Sequence, residues 1–390
     1  DVVSTTSQAF LGLTIGCARC HDHKLEPLST RDYYSLVAVF NPLQRPHSGI
    51  TDLAVKVGET DVYAWRETSA NAPETHILIR GSATRPGERV EPAVPAILVQ
   101  QQPAFAPNGE KSTGRRLWLA KWIADESNPL TARVIVNRVW QQHFGEGIVS
   151  TASDFGLMGA RPTHPELLDW LAGELLRSGG SLKHIHRLIL TSKAWQQSVQ
   201  HPDESRYSEI DADNRWLWRG NRRRQDAESL RDAILAASGE LDLKTGGPGF
   251  VPTLSSDALE GLSRKDAAWT ASPADEQRRR SLYMYLQRSL QPPMMTTFDQ
   301  CDTTISCGRR DVSIVAPQAL TLMNNQFLHE RAQALAKTTI STSDPATRVN
   351  HVWKAILHRE PSADELAESL SHLRKQQQQL THSLQQLTQQ

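Results

Sequence analysis

Within five residues, Cys17-Ala18-Arg19-Cys20-His21, the chain sets down two thiols and an imidazole, and this spacing constrains the local fold more than any other stretch. Cysteines three apart lie on one side of a helical turn, so both sulfurs reach the same edge of whatever they hold. The neighbouring imidazole leaves from the same turn. The flanking chain is patterned to carry it: Ala9, Phe10, Leu13 and Ile15 precede the motif, and Tyr33, Leu36, Val37 and Phe40 follow at helical spacing. Pro27 and Ser29 mark a turn between the two helices, with Ser29 or Thr30 expected as the N-cap of the second.

A C-x-x-C-H run is the spacing of covalent haem attachment. The thiols of Cys17 and Cys20 would add to the two vinyl groups of one porphyrin edge, and His21 would turn a neutral nitrogen to the iron. Three other readings fit the same residues. Cys17, Cys20, His21 and His23 make a compact zinc or copper set, although structural zinc patterns place a second ligand pair far along the chain. Cys17 and Cys20 make a redox disulfide, although no thioredoxin-like βαβ pattern surrounds them. Or they are buried small residues without chemistry. Within the haem reading His21 is the proximal ligand, and Met158, Met294, Met295, Met323 and several histidines are available to the opposite face. His23 is expected as a hydrogen-bonding neighbour. Thioethers of this kind are made outside the cytoplasm, where Cys301 and Cys307 are also able to pair. A disulfide closing that short loop and two free thiols both stay open.

With 390 residues, 38% hydrophobic and 22% charged, the chain is long enough for two or three domains with real cores. Residues 47–110 are β-rich: Val55, Val57, Val62 and Tyr63, then 76–80, then 90–99, separated by Gly, Pro and Asn. From 111 onward helices dominate, and several have legible ends. Asn128-Pro129 opens one through Val134, Val136 and Trp140, which Gly145 stops. Pro165 opens another that ends at Gly179-Gly180, Ser181 caps 182–195, and 226–237 ends at Gly239. Residues 240–278 form a long Gly-, Pro-, Ser- and Asp-rich excursion, and 280–287 alternates as a strand does. Residues 317–336 and 346–357 are again helical, and 376–390 is a Gln-rich tail, frayed or a solvated helix. The expected fold class is mainly α with a smaller β-containing segment (α+β), and a multi-helix C-terminal domain.

Lys plus Arg equals Asp plus Glu at 43 each, so no net field draws the chain to nucleic acid, and no such partner is expected. The basic clusters at 222–224, 278–280 and 309–310 suit haem propionates, an acidic glycan or a partner protein, or else salt-bridged, solvated faces. No run approaches the roughly 18 apolar residues of a membrane span, so no transmembrane segment is expected. The first residues lack the basic start and apolar core of a signal peptide, which is therefore expected to lie outside this fragment.

Asn137, Arg138, Trp140, His143, Asp154, His164 and Asp169 crowd into a helical region. One reading is a pocket with His143 or His164 as acid-base and Arg138 as anion clamp. The other, favoured because no nucleophile or paired carboxylate shows recognisable spacing, is a hydrogen-bond network fixing the loop 145–164. Trp118, Trp122, Trp140 and Trp170 read as packing anchors. G-x-S-x-G and H-E-x-x-H are absent from the sequence, and 111–114 lacks the Gly-rich lead of a phosphate loop.

The stretch Leu11-Gly-Leu-Thr-Ile-Gly-Cys-Ala-Arg-Cys-His-Asp-His-Lys24, followed by Pro27 and Arg31-Asp-Tyr-Tyr34, resembles the end of the planctomycete cytochrome c-like domain. The remainder is similar to the helical domain of unknown function that follows it in the same large proteins. The matching runs are Asn128-Pro-Leu-Thr-Ala-Arg-Val-Ile-Val-Asn-Arg-Val-Trp140, Phe144-Gly145, Ser153-Asp-Phe-Gly156, His164-Pro-Glu-Leu-Leu-Asp-Trp170, Asn221-Arg222, Arg310-Asp311 and Pro317-Gln-Ala-Leu320. Together with the shifts in composition, the resemblance divides the chain into the end of a cytochrome c-like domain (1–46), a β-rich segment and linker (47–110), a mainly helical domain of unknown function (111–375) and the Gln-rich tail (376–390).

The resemblance implies haem c on Cys17, Cys20 and His21, with His21 as the iron ligand. It implies an electron-transfer protein of the periplasm, or otherwise extracytoplasmic, that works with a redox partner protein. Two alternatives stand beside it. One is an extracytoplasmic oxidoreductase acting on carbohydrate-derived substrates, with 137–169 as its pocket; the other is a non-haem metal-binding or interaction module.

Overall fold

The computed structural model describes residues 1–44, 54–58, 60–63, 65–254, 256–259, 269–287, 290–303 and 307–388. The chain divides into two compact units, Asp1–Arg223 and Arg224–Gln390, and the fold is mainly α with small antiparallel β pairs.

The first unit opens with α1 (Val2–Thr6), a π-helical turn (Ser7–Leu11) and a 3-10 turn (Ile15–Arg19), then α2 (Thr30–Phe40). Ser29 is the N-cap of α2. Its hydroxyl accepts from the Asp32 amide while the Asp32 carboxylate accepts from the Ser29 amide, a reciprocal capping box. These turns bury Leu11, Leu13, Ile15, Ala18, Leu36 and Val39 together with Val90, Val94 and Leu119 in one apolar cluster. Two hairpins follow: β1 (Ala54–Val57) with β2 (Thr60–Tyr63), and β3 (Thr75–Leu78) with β4 (Pro86–Val90). Beyond Val90 the expected β run gives way to loop and a 3-10 turn at Ala96–Leu98, because Pro92 and Pro95 have no N–H to donate to a ladder.

Helices α3 (Arg115–Ile123), α4 (Thr131–Phe144), α5 (Pro165–Arg177), α6 (Leu182–Leu190) and α7 (Glu204–Ile210) complete this unit. Asn128 Oδ1 accepts from the amides of Leu130 and Thr131 at the start of α4, and Gly145, at φ 86°, ends it. Pro165 sits in the first turn of α5, where its missing N–H costs nothing. One face of α4, α5 and α6 closes a second apolar cluster around Val136, Trp140, Leu168, Leu171, Ile185 and Ile189. Helix α6 stops at Leu190, short of the expected Trp195. There the hydroxyls of Thr191 and Ser192 bond back to the carbonyls of Arg187 and Ile189.

The second unit holds α8 (Ala227–Ala237), α9 (Ser256–Leu259), α10 (Pro293–Thr297), α11 (Ala316–Asn324), α12 (Gln326–Thr338), α13 (Pro345–Leu357) and α14 (Ala363–Thr388). Asp226 caps α8 by accepting from the Ser229 amide. The helix expected over 317–336 is two helices, divided at Asn325, whose side chain caps α12. The strand expected over 280–287 is instead a 3-10 turn (Ser281–Tyr283) followed by isolated bridges from Met284 and Gln287. Side chains of α8 take backbone groups where the stretch begins, Arg231 donating to the Arg279 carbonyl and Asp232 accepting from the Ser281 amide, while the Tyr283 carbonyl and Tyr285 amide pair with Phe250 alone. Part of the excursion 240–278 lies outside the described residues, and its described part is irregular apart from α9 and a 3-10 turn at Glu276–Arg278. The Gln-rich stretch continues α14 as an exposed helix through 388. Among the described residues, no helix is long and apolar enough to cross a membrane.

Candidate functional site

Cys17 stands on the 3-10 turn, and Cys20 and His21 on the bend that leaves it. The turn is anchored from behind. Ile15 and Ala18 are fully buried, the Cys17 amide donates to the Thr14 carbonyl, and the Tyr34 hydroxyl of α2 donates to the Arg19 carbonyl. With its apolar positions spent on the core, the turn presents the others outward, and Cys17 and Cys20 are both exposed free thiols.

His21 Nδ1 lies 2.6 Å from the Asp22 carbonyl oxygen. A carbonyl only accepts, so Nδ1 carries the proton and Nε2 keeps its lone pair, with no partner among the described residues. Asp22 in turn accepts from the Thr30 amide at 2.8 Å, which ties the motif to the start of α2 and holds the Asp22 carboxyl below its usual range. His23 is engaged differently. Its Nδ1 accepts from the Glu26 amide at 2.9 Å, leaving Nε2 to donate to the Thr14 hydroxyl at 3.2 Å, so neither nitrogen is left for a metal. Among the described residues, no three His, Cys, Asp or Glu side chains come together as a metal-binding group, and the compact zinc or copper set is not assembled.

Two further segments border the motif, and periodicity in the sequence pointed to neither. The buried Glu26 carboxylate accepts from the Met158 amide at 3.2 Å, while the Phe155 amide donates to the Gly12 carbonyl at 2.7 Å. The loop around 154–158 is thereby docked beside the cysteine segment. Gly12 permits this docking, since a Cβ there would meet the Phe155 ring at 2.7 Å. The second segment is the turn after β3, Ile79–Gly81, which passes close to Cys20. Of the four methionines considered for the opposite iron face, Met158 is exposed on the docked loop. Met294 and Met295 are buried in the apolar cluster of the second unit, and Met323 is exposed on α11.

Most polar side chains of 137–169 make short hydrogen bonds or ion pairs. Asn137, fully buried, donates to the Val149 carbonyl at 2.9 Å and accepts from the Val149 amide at 2.8 Å, clamping the loop after α4. Arg138 donates to the Gln8 carbonyl, His143 meets His186 at 2.7 Å, His164 meets the Thr163 hydroxyl, and Asp169 pairs with Arg133. Burial, then His186 and Arg223, hold the His143 imidazole below its ordinary range. Asn137 thus fixes the loop after α4, the other groups sit in separate pairs and not in one network, and Arg138 Nε is buried without a hydrogen-bond partner among the described residues. Of the tryptophans, Trp140 is buried as expected, but Trp170 is 47% exposed because it faces away from the apolar stripe of α5. Cys301 and Cys307 are joined in a disulfide across Cα atoms 6.3 Å apart.

Fold and motif together define a mainly helical protein with an exposed C-x-x-C-H turn at one edge of its first unit. Residues 115–373 match the family described as PSD1, protein of unknown function (DUF1553), and the chain belongs to that family. Residues 1–45 match PSCyt2, protein of unknown function (DUF1549). No curated protein and no solved structure matches the chain significantly.

Proposed function

We propose that this chain carries a haem c on Cys17, Cys20 and His21 and passes electrons to a redox partner protein outside the cytoplasm. One observation carries the reading: two free, exposed thiols and an imidazole with its Nε2 lone pair unengaged leave the same short turn. This donor set fits the group. Each thiol adds its S–H across a vinyl double bond, sulfur to the carbon nearer the ring and hydrogen to the terminal carbon, with no net change in electron count. The hydrogen bond from His21 Nδ1 to the Asp22 carbonyl fixes the tautomer and makes Nε2 a stronger donor. When bound, haem iron supplies one-electron redox chemistry. The exposed position of the turn suits exchange with a docked partner.

Expression in a bacterial periplasm with haem-maturation machinery tests the reading. The chain is expected to retain its haem through denaturant and acidified organic solvent, and Cys17→Ser with Cys20→Ser to abolish that retention. A colourless wild-type product from cells that mature a control cytochrome would overturn it.

A further inference from the structure

The turn between β3 and β4 crosses the motif at one point. A Cβ on Gly81 would lie 2.8 Å from Cys20 Sγ and 3.7 Å from Cγ and Nε of Arg19, so the backbone of residue 81 lies directly against the thiol. This turn is held in an uncommon shape. Gly81 has φ 70°, and Arg80 before it, though not glycine, has φ 52° and ψ 32°. Hydrogen bonds from the Ile79 amide to the Arg85 carbonyl and from the Ser82 amide to the Ile79 carbonyl close it. Non-glycine residues persist in the left-handed region where the surroundings over-determine them. Here those surroundings are the hairpin on one side and, on the other, α2 and the motif turn that α2 holds through Tyr34.

Gly81 has an ordinary explanation as well, since a positive φ favours glycine in any turn. Gly58, in the β1–β2 hairpin, separates the two explanations. It has φ 62°, and a Cβ there would meet nothing within 4 Å.

We propose that Gly81 is a haem-binding residue of this chain, the point at which the backbone closes over the Cys20 thioether. The inference rests on the haem reading above. Its physical basis is a difference in freedom between thiol and thioether. A free Cys20 thiol swings aside by rotation about one bond, so an added Cβ at 81 is accommodated at little cost. A thioether sulfur is tied at both ends, to its own Cβ and to the porphyrin, and has no such escape. A side chain at 81 therefore presses on the thioether of the loaded protein in addition to the backbone strain it imposes on both.

The test compares Gly81→Ala with Gly58→Ala, each in the haem-loaded chain and in the Cys17→Ser/Cys20→Ser chain that cannot form thioethers. Both substitutions strain a left-handed backbone, so both are expected to lower the melting temperature of the unloaded chain by similar amounts. In the loaded chain Gly81→Ala is expected to add a further drop of about 5 °C that Gly58→Ala does not, with a measurable shift in midpoint potential. Where Gly81→Ala fails to fold, Gly81→Asn adds the same Cβ on a residue that tolerates the left-handed region. Equal drops for Gly81 variants in loaded and unloaded chains overturn this proposal while leaving the haem reading intact. A wild-type chain that acquires no haem overturns the reading itself.

Discussion

The interiors of the two units are built differently. Between Asp1 and Arg223, two apolar clusters of aliphatic and aromatic side chains carry the core, and buried polar groups such as Asn137, Asp32 and Glu67 clamp loops and helix starts. Between Arg224 and Gln390, the apolar cluster among the described residues is small, Ala227, Met294, Met295 and Phe298, and buried arginines share the interior. Arg231 is 6% exposed and donates to the carbonyls of Gln277 and Arg279 and to the Ser281 hydroxyl. Its guanidinium lies over the rings of Phe250 and Phe327. Arg279, 1% exposed, donates to Pro248 and Gly246 and lies over Tyr283. Where segments are irregular, a forked donor satisfies several carbonyls at once, which no aliphatic side chain does. Among the described residues, the second unit adds to its buried apolar side chains two buried guanidinium groups that tie irregular segments together, a device the first unit's interior does not use.

That contrast is breakable, most sharply at Arg231. Burial pulls its pKa down to about 10 in spite of Asp232, so the charge is held against a desolvation cost by its partners. Arg231→Met keeps much of the volume but orphans the Gln277 and Arg279 carbonyls. It is expected to cost the second unit about 4 kcal/mol, read by urea unfolding or limited proteolysis. A loss under about 1 kcal/mol would show that the arginine is incidental and the contrast mistaken.

In the first unit the matching change is apolar. Leu171→Ala removes a side chain that is 1% exposed at the α4–α5 contact, with an expected cost of about 3 kcal/mol from lost transfer energy and the cavity left behind. A much smaller cost would mean that this cluster collapses around the gap.

The smallest expected effect concerns Glu67, the charged anchor of the first unit. Burial pushes its carboxyl up, but hydrogen bonds from Thr113, Ser112 and Arg116 outweigh this and hold it below its ordinary value. A carboxyl lowered in the folded state stabilises fully above its unfolded pKa, and that contribution fades as pH falls through the folded one. Stability of the first unit is therefore expected to fall by about 1–2 kcal/mol across that acid range, and Glu67→Gln to flatten the dependence. A pH profile unchanged by Glu67→Gln would remove the carboxylate from the account.

Where legibility succeeded, local chemistry decided the outcome. Ser29, Ser181 and Asp226 cap helices, and Gly145, Gly179 and Gly239 lie in the left-handed region just past helix ends, whereas α4 starts at Thr131 with Leu130 as its N-cap, two residues later than Asn128-Pro129 led one to expect. Caps and stops depend on residues a few positions apart, so they survive whatever the rest of the chain does. The alternation at 280–287 misled because distant groups meet its backbone: Asp232, 49 positions earlier, takes the Ser281 amide, and Phe250 pairs with the Tyr283 carbonyl and the Tyr285 amide in an isolated bridge. The candidate site divides the same way. Cys17, Cys20 and His21 are legible as a motif, and Asp22 orients His21 through the very next peptide. Glu26 and Gly81 were not legible, because each matters through a residue brought near by packing, Met158 in one case and Cys20 in the other.

By itself the sequence determined the helical class, the helix ends and the set of donor atoms that leave one turn, since all three follow from side chains within a few residues of each other. Only the tertiary structure decided that two arginines are buried in the second interior, that His23 is spent on its own loop, and that a glycine 61 positions after Cys20 lies against its sulfur. Those outcomes depend on which carbonyls and surfaces remain unmet after distant segments pack, a quantity that no short window of residues contains.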